Sequence, residues 1–207
     1  MGKIQWSNGV YCSGALIGSR HVATAKHCAP LNNPGVSVRF MPAYYDGESF
    51  PGAYVTTIIY LPDYSVNDPD ANACDIKEDW AIFILDSRLG DQRGGLGAKL
   101  IEPSIINNPS LLNLGYPGDL ANGNRPYRQE KITVRNKFDC DATGGLSTDA
   151  DVAGGMSGGP LNIVPSPKPL LPTYRIHHIT RNKTHANPKR HSGKTSTALP
   201  YSWVFSA

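Results

Sequence analysis

The sequence predicts an all-β protein, and three observations lead there. Glycine (21) and proline (17) are abundant in a chain of 207 residues. Charged residues make up only 18% against 40% hydrophobic, enough for a core but not the composition of a helical bundle. Short alternating or β-branched runs are separated by clusters of turn residues, the spacing expected of a barrel or sandwich. The length suits one all-β domain, since such domains run past the usual size without splitting.

Taken in order, Val10–Cys12, Ala15–Ile17 and His21–Ala25 read as strand, turn and strand. Val36–Phe40 alternates apolar and polar residues, as a half-buried strand does. Ala53–Tyr60 is β-branched and aromatic, a strand composition. Pro62–Glu78 is polar and reads as a long surface loop. Trp80–Leu85 is continuously apolar and predicts a strand buried on both faces. Gly90–Gly97 is a glycine-rich turn region, the expected link between two halves. Leu111–Tyr116 opens the second half, Ile132–Arg135 alternates as one further strand, and Gly144–Gly159 is rich in loop residues. No internal repeat is found.

No run of about 18 apolar residues is present, so no membrane span is expected. The first residues, Met1–Trp6, lack the apolar region of an export signal. Charge is distributed unevenly. Residues 1–159 hold 13 Lys and Arg and all 17 Asp and Glu of the chain; residues 160–207 hold 7 Lys and Arg and no acid. Such a tail is expected to be solvated. It lacks the interleaved aromatics and recognised module of a nucleic-acid binder, so no nucleic-acid partner is expected.

The stretch Gly154-Gly155-Met156-Ser157-Gly158-Gly159-Pro160 surrounds one serine with glycine and proline. Glycine permits positive φ and close approach of a substrate to the backbone. The amides of Gly155 and Ser157 can then converge as an oxyanion hole for acyl transfer. A serine hydroxyl needs a base, and His27 supplies one near neutral pH. His21 is the competing histidine and reads as structural. Cys12 and Cys28 flank this segment, on what read as neighbouring strands. A bridge between them is expected to pin the His27 loop and to contribute about 3 kcal/mol through loop closure. It also implies an oxidising compartment, hence a secreted protein whose leader is not part of this sequence. A metal pair is disfavoured, because no second closely spaced Cys/His pair accompanies His27-Cys28. Asp79, at the mouth of the Trp80–Leu85 run, is the acid expected to orient the base, with Asp75 as its rival.

The order His, Asp, Ser, carried by Thr24-Ala25-Lys26-His27-Cys28, Asp79-Trp80-Ala81-Ile82 and Gly155-Met156-Ser157-Gly158-Gly159-Pro160-Leu161, resembles the trypsin-like serine proteases. Cys12-Ser13-Gly14-Ala15-Leu16-Ile17 is similar to the strand before the family's histidine. Gly115-Tyr116-Pro117-Gly118-Asp119 resembles the V8-like, glutamyl-endopeptidase-like branch. The resemblance covers roughly residues 6–164. It implies two antiparallel six-stranded barrels with the site in the cleft between them, the second incomplete at its C-terminal end. It implies a serine endopeptidase with His27, Asp79 and Ser157 as triad, Gly155 and Ser157 as oxyanion donors, no metal or cofactor, a polypeptide substrate and a monomer. The expected organisation is a protease domain over residues 1–161, linked near 86–100, and a basic, proline-rich tail over 162–207.

The sequence also departs from the family pattern. Lys26 replaces the small residue usual before the histidine. Met156 stands where trypsin-like zymogens carry an aspartate, so activation by that ion pair is not expected. Asp151 lies where trypsin-like enzymes place the acid that selects Arg or Lys, whereas V8-like glutamate selectivity leans on a later histidine, for which His177 is the best match. Both are substrate-binding candidates. Tyr174–Arg181 lacks the glycines of the family's pocket wall, which leaves a protease-like binding or regulatory protein as the competing reading. Cys74 and Cys140 are candidates for a second bridge.

Overall fold

A computed structural model describes residues 1–61, 75–99, 102–137 and 146–163, together with the backbone of three short strands in the tail. Of the surface loop expected over Pro62–Glu78, residues 62–74, Cys74 among them, lie outside the described residues, as does Cys140, and Asp75–Glu78 forms a 3-10 turn.

The first half is a closed six-stranded barrel. Its strands are β1 (Gly2–Trp6), β2 (Tyr11–Leu16), β3 (His21–Thr24), β4 (Val38–Pro42), β5 (Ala53–Tyr60) and β6 (Ala81–Leu85). The order around the barrel is β1-β2-β3-β6-β5-β4, every neighbour antiparallel. Side chains alternate across each strand, so Ile4, Trp6, Leu16, Val22, Phe40, Phe83 and Leu85 meet in one interior. Ala53–Tyr60 is a strand as expected. Val10–Ile17, expected as two segments with a turn, holds the single strand β2.

β6 is not buried on both faces. Ala81, Phe83 and Leu85 are buried, while Ile82 and Ile84 are only half-buried. Closing a sheet on itself gives it one interior, and no further layer of described residues covers the outside of β6.

The link is a short helix, α1 (Leu89–Arg93), rather than a plain turn. Beyond it come β7 (Gly97–Lys99), β8 (Leu111–Gly115), β9 (Tyr127–Ile132), β10 (Val134–Lys137), β11 (Leu146–Thr148), β12 (Leu161–Ile163), β13 (His177–His178), β14 (Ala198–Leu199) and β15 (Val204–Ser206). They form a six-stranded sheet ordered β13-β9-β8-β12-β15-β7 and a three-stranded sheet ordered β10-β11-β14. Two of the tail pairings, β12 with β15 and β13 with β9, are parallel. A smaller core of Ile105, Leu111, Ile132, Val134, Leu146 and Leu161 fills this half.

Ile132–Arg135, expected as one strand, is split at Thr133. The Thr133 N–H donates to the Asp149 carboxylate at 2.7 Å, and the Asp149 N–H donates back to the Thr133 carbonyl at 3.2 Å. Those bonds occupy groups that a continuous ladder would need.

The two halves are stitched together at one end. The Tyr116 hydroxyl donates to the Tyr44 carbonyl at 3.0 Å, the Asp46 N–H donates to the Asn124 carbonyl at 2.7 Å, and Arg125 pairs with Asp46 at 2.6 Å.

Candidate active site

The Thr24-Ala25-Lys26-His27-Cys28 motif leaves β3 and enters a 3-10 turn over Lys26–Cys28. The Cys28 N–H donates to the Ala25 carbonyl at 3.1 Å, closing the turn. The Cys12–Cys28 disulfide is formed and ties this turn to β2. The Trp6 indole N–H donates to the Cys28 carbonyl at 2.9 Å and holds the turn from the barrel interior. Cys12, His27 and Cys28 bring possible ligand atoms within 4.8 Å of one another, but with both sulfurs bonded no thiolate is left to bind a metal.

Asp79 is buried and meets His27 twice. Its Oδ2 lies 2.6 Å from the ring Nδ1, and its Oδ1 accepts the His27 backbone N–H at 2.9 Å. A carboxylate only accepts, so Nδ1 carries the proton and Nε2 presents a lone pair. Bonding the ring and the backbone of one residue leaves the imidazole little freedom to turn. The rival Asp75 lies at the start of a 3-10 turn over Asp75–Glu78, and its side chain lies outside the described residues. His21 is the exposed first residue of β3.

Lys26 is buried, and its ammonium donates to the Leu61 carbonyl and lies 5.1 Å from the centre of the Tyr60 ring. Its charge is thus directed to the end of β5.

The serine loop is two successive tight turns. The Met156 N–H donates to the Ala153 carbonyl at 3.1 Å, and the Gly159 N–H donates to the Met156 carbonyl at 2.9 Å. Gly155 and Gly158 occupy the third positions with φ of 91° and 75°, the left-handed conformation that type II turns require and that favours glycine. Both are also crowded. A Cβ on Gly155 would collide with the Tyr11 ring and the Tyr116 carbonyl, and one on Gly158 with the Thr24 hydroxyl and the Ser13 carbonyl.

These turns orient the peptide groups. The Gly154 carbonyl accepts the Gly118 N–H at 2.7 Å, and every described peptide bond is trans. The N–H of a trans peptide points opposite its carbonyl, so the Gly155 N–H faces away from Gly118. By the same argument the Ser157 N–H faces away from Gly159. Neither amide finds an acceptor among the described residues.

Ser157 sits beside the histidine turn. Its carbonyl accepts the Ser13 N–H at 2.9 Å and lies 3.7 Å from Cys28 Sγ. Asp151 is exposed, its N–H donates to the Gln129 side chain at 2.7 Å, and no cation pairs with its carboxylate among the described residues. His177 pairs in backbone register with Tyr127 on β9, and its side chain lies outside the described residues.

Sequence reasoning missed Ser13, Tyr11 and the packing role of the Gly115–Asp119 motif. The one available signal was Ser13 itself, a polar residue in a core strand that must find partners.

The sequence profile of the trypsin family matches residues 1–163. No match was found among curated proteins. Among solved structures, the thermostable serine protease AL20 from an extremophilic microorganism is 24% identical over 80% of this chain and 78% of its own, with a TM-score of 0.60. A Glu endopeptidase is 19% identical over 78% and 73%, with a TM-score of 0.61. Human heparin binding protein is 19% identical over 78% and 74%, with a TM-score of 0.58. At these identities the likeness to solved structures speaks for the fold, while the profile match carries the family. The chain belongs to the trypsin family of serine proteases.

Proposed function

We propose that the chain is a secreted serine endopeptidase that cleaves polypeptides through an acyl-enzyme, with Ser157 as nucleophile, His27 as base and Asp79 as the orienting acid. The observation that carries this reading is the two-point hydrogen bonding of His27 by buried Asp79, which leaves Nε2 as the acceptor.

The chemistry follows from that arrangement. Nε2 takes the proton from the Ser157 hydroxyl as Oγ bonds to the scissile carbonyl carbon. The amides of Gly155 and Ser157 receive the negative charge that develops on the carbonyl oxygen. Asp79 stabilises the imidazolium without taking its proton. The C–N bond breaks as His27 gives that proton to the leaving amine. Water then attacks the ester, with His27 again as base, and releases the acid and Ser157. The sequence asks for no cofactor.

With no cation paired to it among the described residues, the Asp151 carboxylate favours a basic side chain in the residue before the cleaved bond. The Cys12–Cys28 disulfide supports export, because such bridges persist in oxidising compartments. The peptidase unit is assigned to residues 1–161, with 162–207 as a tail.

The test is covalent labelling by a fluorophosphonate probe, followed by peptide mapping. Labelling at Ser157 that disappears in Ser157→Ala and His27→Ala is expected. A folded wild-type protein that does not label would overturn the reading in favour of a binding protein on the same fold.

A further inference from the structure

Ser13 lies on β2 of the closed barrel and is fully buried. All its polar groups are engaged. Its N–H donates to the Ser157 carbonyl at 2.9 Å. Its hydroxyl donates to the Gly155 carbonyl at 2.7 Å and accepts the Tyr116 N–H at 3.0 Å. Its carbonyl accepts the Thr24 hydroxyl at 2.8 Å. One small side chain therefore bridges the serine loop to the Gly115–Asp119 segment of the second half, and does so from the first half.

The geometry points to Ser13 as the positioning residue of the serine loop, its hydroxyl fixing the Gly155–Met156 peptide so that the amides on either side stay aimed at one point. This rests on the peptidase reading above. A turn with glycine at its third position is free to exchange peptide orientations, because glycine accepts both signs of φ. Two carbonyl anchors oppose that exchange here: Gly154 on Gly118, and Gly155 on Ser13. Met156, the buried residue that follows them, contributes no polar side-chain group. The loop is thus held by neutral hydrogen bonds, and its orientation is expected to be insensitive to salt.

The experiment uses the full chain and two pairs of residues that differ at position 13 by a hydroxyl: wild type against Ser13→Ala, and Ser13→Thr against the isosteric Ser13→Val. The second pair serves if Ser13→Ala does not fold. In each pair the member without the hydroxyl is expected to lose about 100-fold in kcat with KM within threefold, the lower end of what losing one oxyanion donor costs. Affinity for a peptide boronate, which forms a tetrahedral adduct on the nucleophile, falls by the same factor. Val38→Ala, a truncation in the core of the first barrel, reports what destabilisation alone does and is expected to keep kcat.

A hydroxyl-free variant with kcat within threefold of its partner overturns the role of Ser13. So does a loss of kcat with unchanged boronate affinity, or an equal loss in Val38→Ala. Absence of fluorophosphonate labelling in the wild type instead overturns the peptidase reading, and the role of Ser13 with it.

Discussion

The two halves of the molecule hold their functional groups differently. The first half closes on itself through antiparallel neighbours and carries the larger core, and its turn with His27 is fixed by a disulfide, an indole and a carboxylate. The second half is built from shorter strands around a smaller core, two of its pairings parallel. Its serine loop contains no regular element and borrows its anchors, Ser13 from the first half and Gly118 from a neighbouring loop. The proposed base is thus positioned within one cooperative unit. The proposed nucleophile is positioned by contacts across the boundary between the two.

The largest expected effect breaks the first half's contribution. Asp79→Asn keeps the shape of the acid but offers an amide donor where Nδ1–H needs an acceptor, favouring the wrong tautomer. A fall in kcat of about 10⁴-fold at neutral pH is expected, measured with any peptide substrate that the wild type cleaves. A loss under tenfold would mean that His27 is oriented by something else.

The next effect is on stability. Replacing Cys12 and Cys28 together by Ala removes the closure of the His27 segment and is expected to cost about 3 kcal/mol. For a chain of this size that lowers Tm by about 6–12 °C, read by thermal denaturation under non-reducing conditions. An unchanged Tm would show that Trp6 and Asp79 suffice to hold the turn.

The smallest effect tests the seam. Tyr116→Phe removes the hydroxyl donated to Tyr44 and is expected to cost about 1 kcal/mol at neutral pH. It should also change the alkaline behaviour. Burial raises the Tyr116 pKa from its usual 10.0, so above that pH the folded state keeps a proton that the unfolded state loses. The stability from this residue is complete below pH 10 and is lost as the pH rises further. Tyr11, raised by burial and by Asp119, has the same sign. Lys3, lowered by burial, has the opposite sign. Denaturant titrations between pH 8 and about 11 should therefore show a shallower alkaline decline in the phenylalanine variant. An equal decline would assign the effect to Tyr11 or to other groups.

Much of the first half was legible because its signals are local. Ala53–Tyr60 announces a strand by composition, and the Cys12–Cys28 pairing was expected from neighbouring strands, although Cys28 lies in the 3-10 turn just after β3. The position of Asp79 at the mouth of β6 was legible too, and the structure brings it to His27. What was not legible depends on distant partners. The break at Thr133 is imposed by Asp149, 16 residues later in the chain. The one-sided burial of β6 follows from barrel closure, which no window of the sequence contains. Ser13 looked like a residue of a family-like strand, and the partners of its hydroxyl lie more than 100 residues away in the chain.

The bond from the Trp6 indole to Cys28 has an optical consequence. Trp6 shares its core cluster with both disulfide sulfurs, and a disulfide near an excited indole accepts an electron and quenches its emission. The folded, oxidised protein should therefore carry a dim tryptophan within the structure that supports the His27 turn. Reduction of the bridge would brighten it, so intrinsic fluorescence can follow the state of the His27 turn without a label or a substrate.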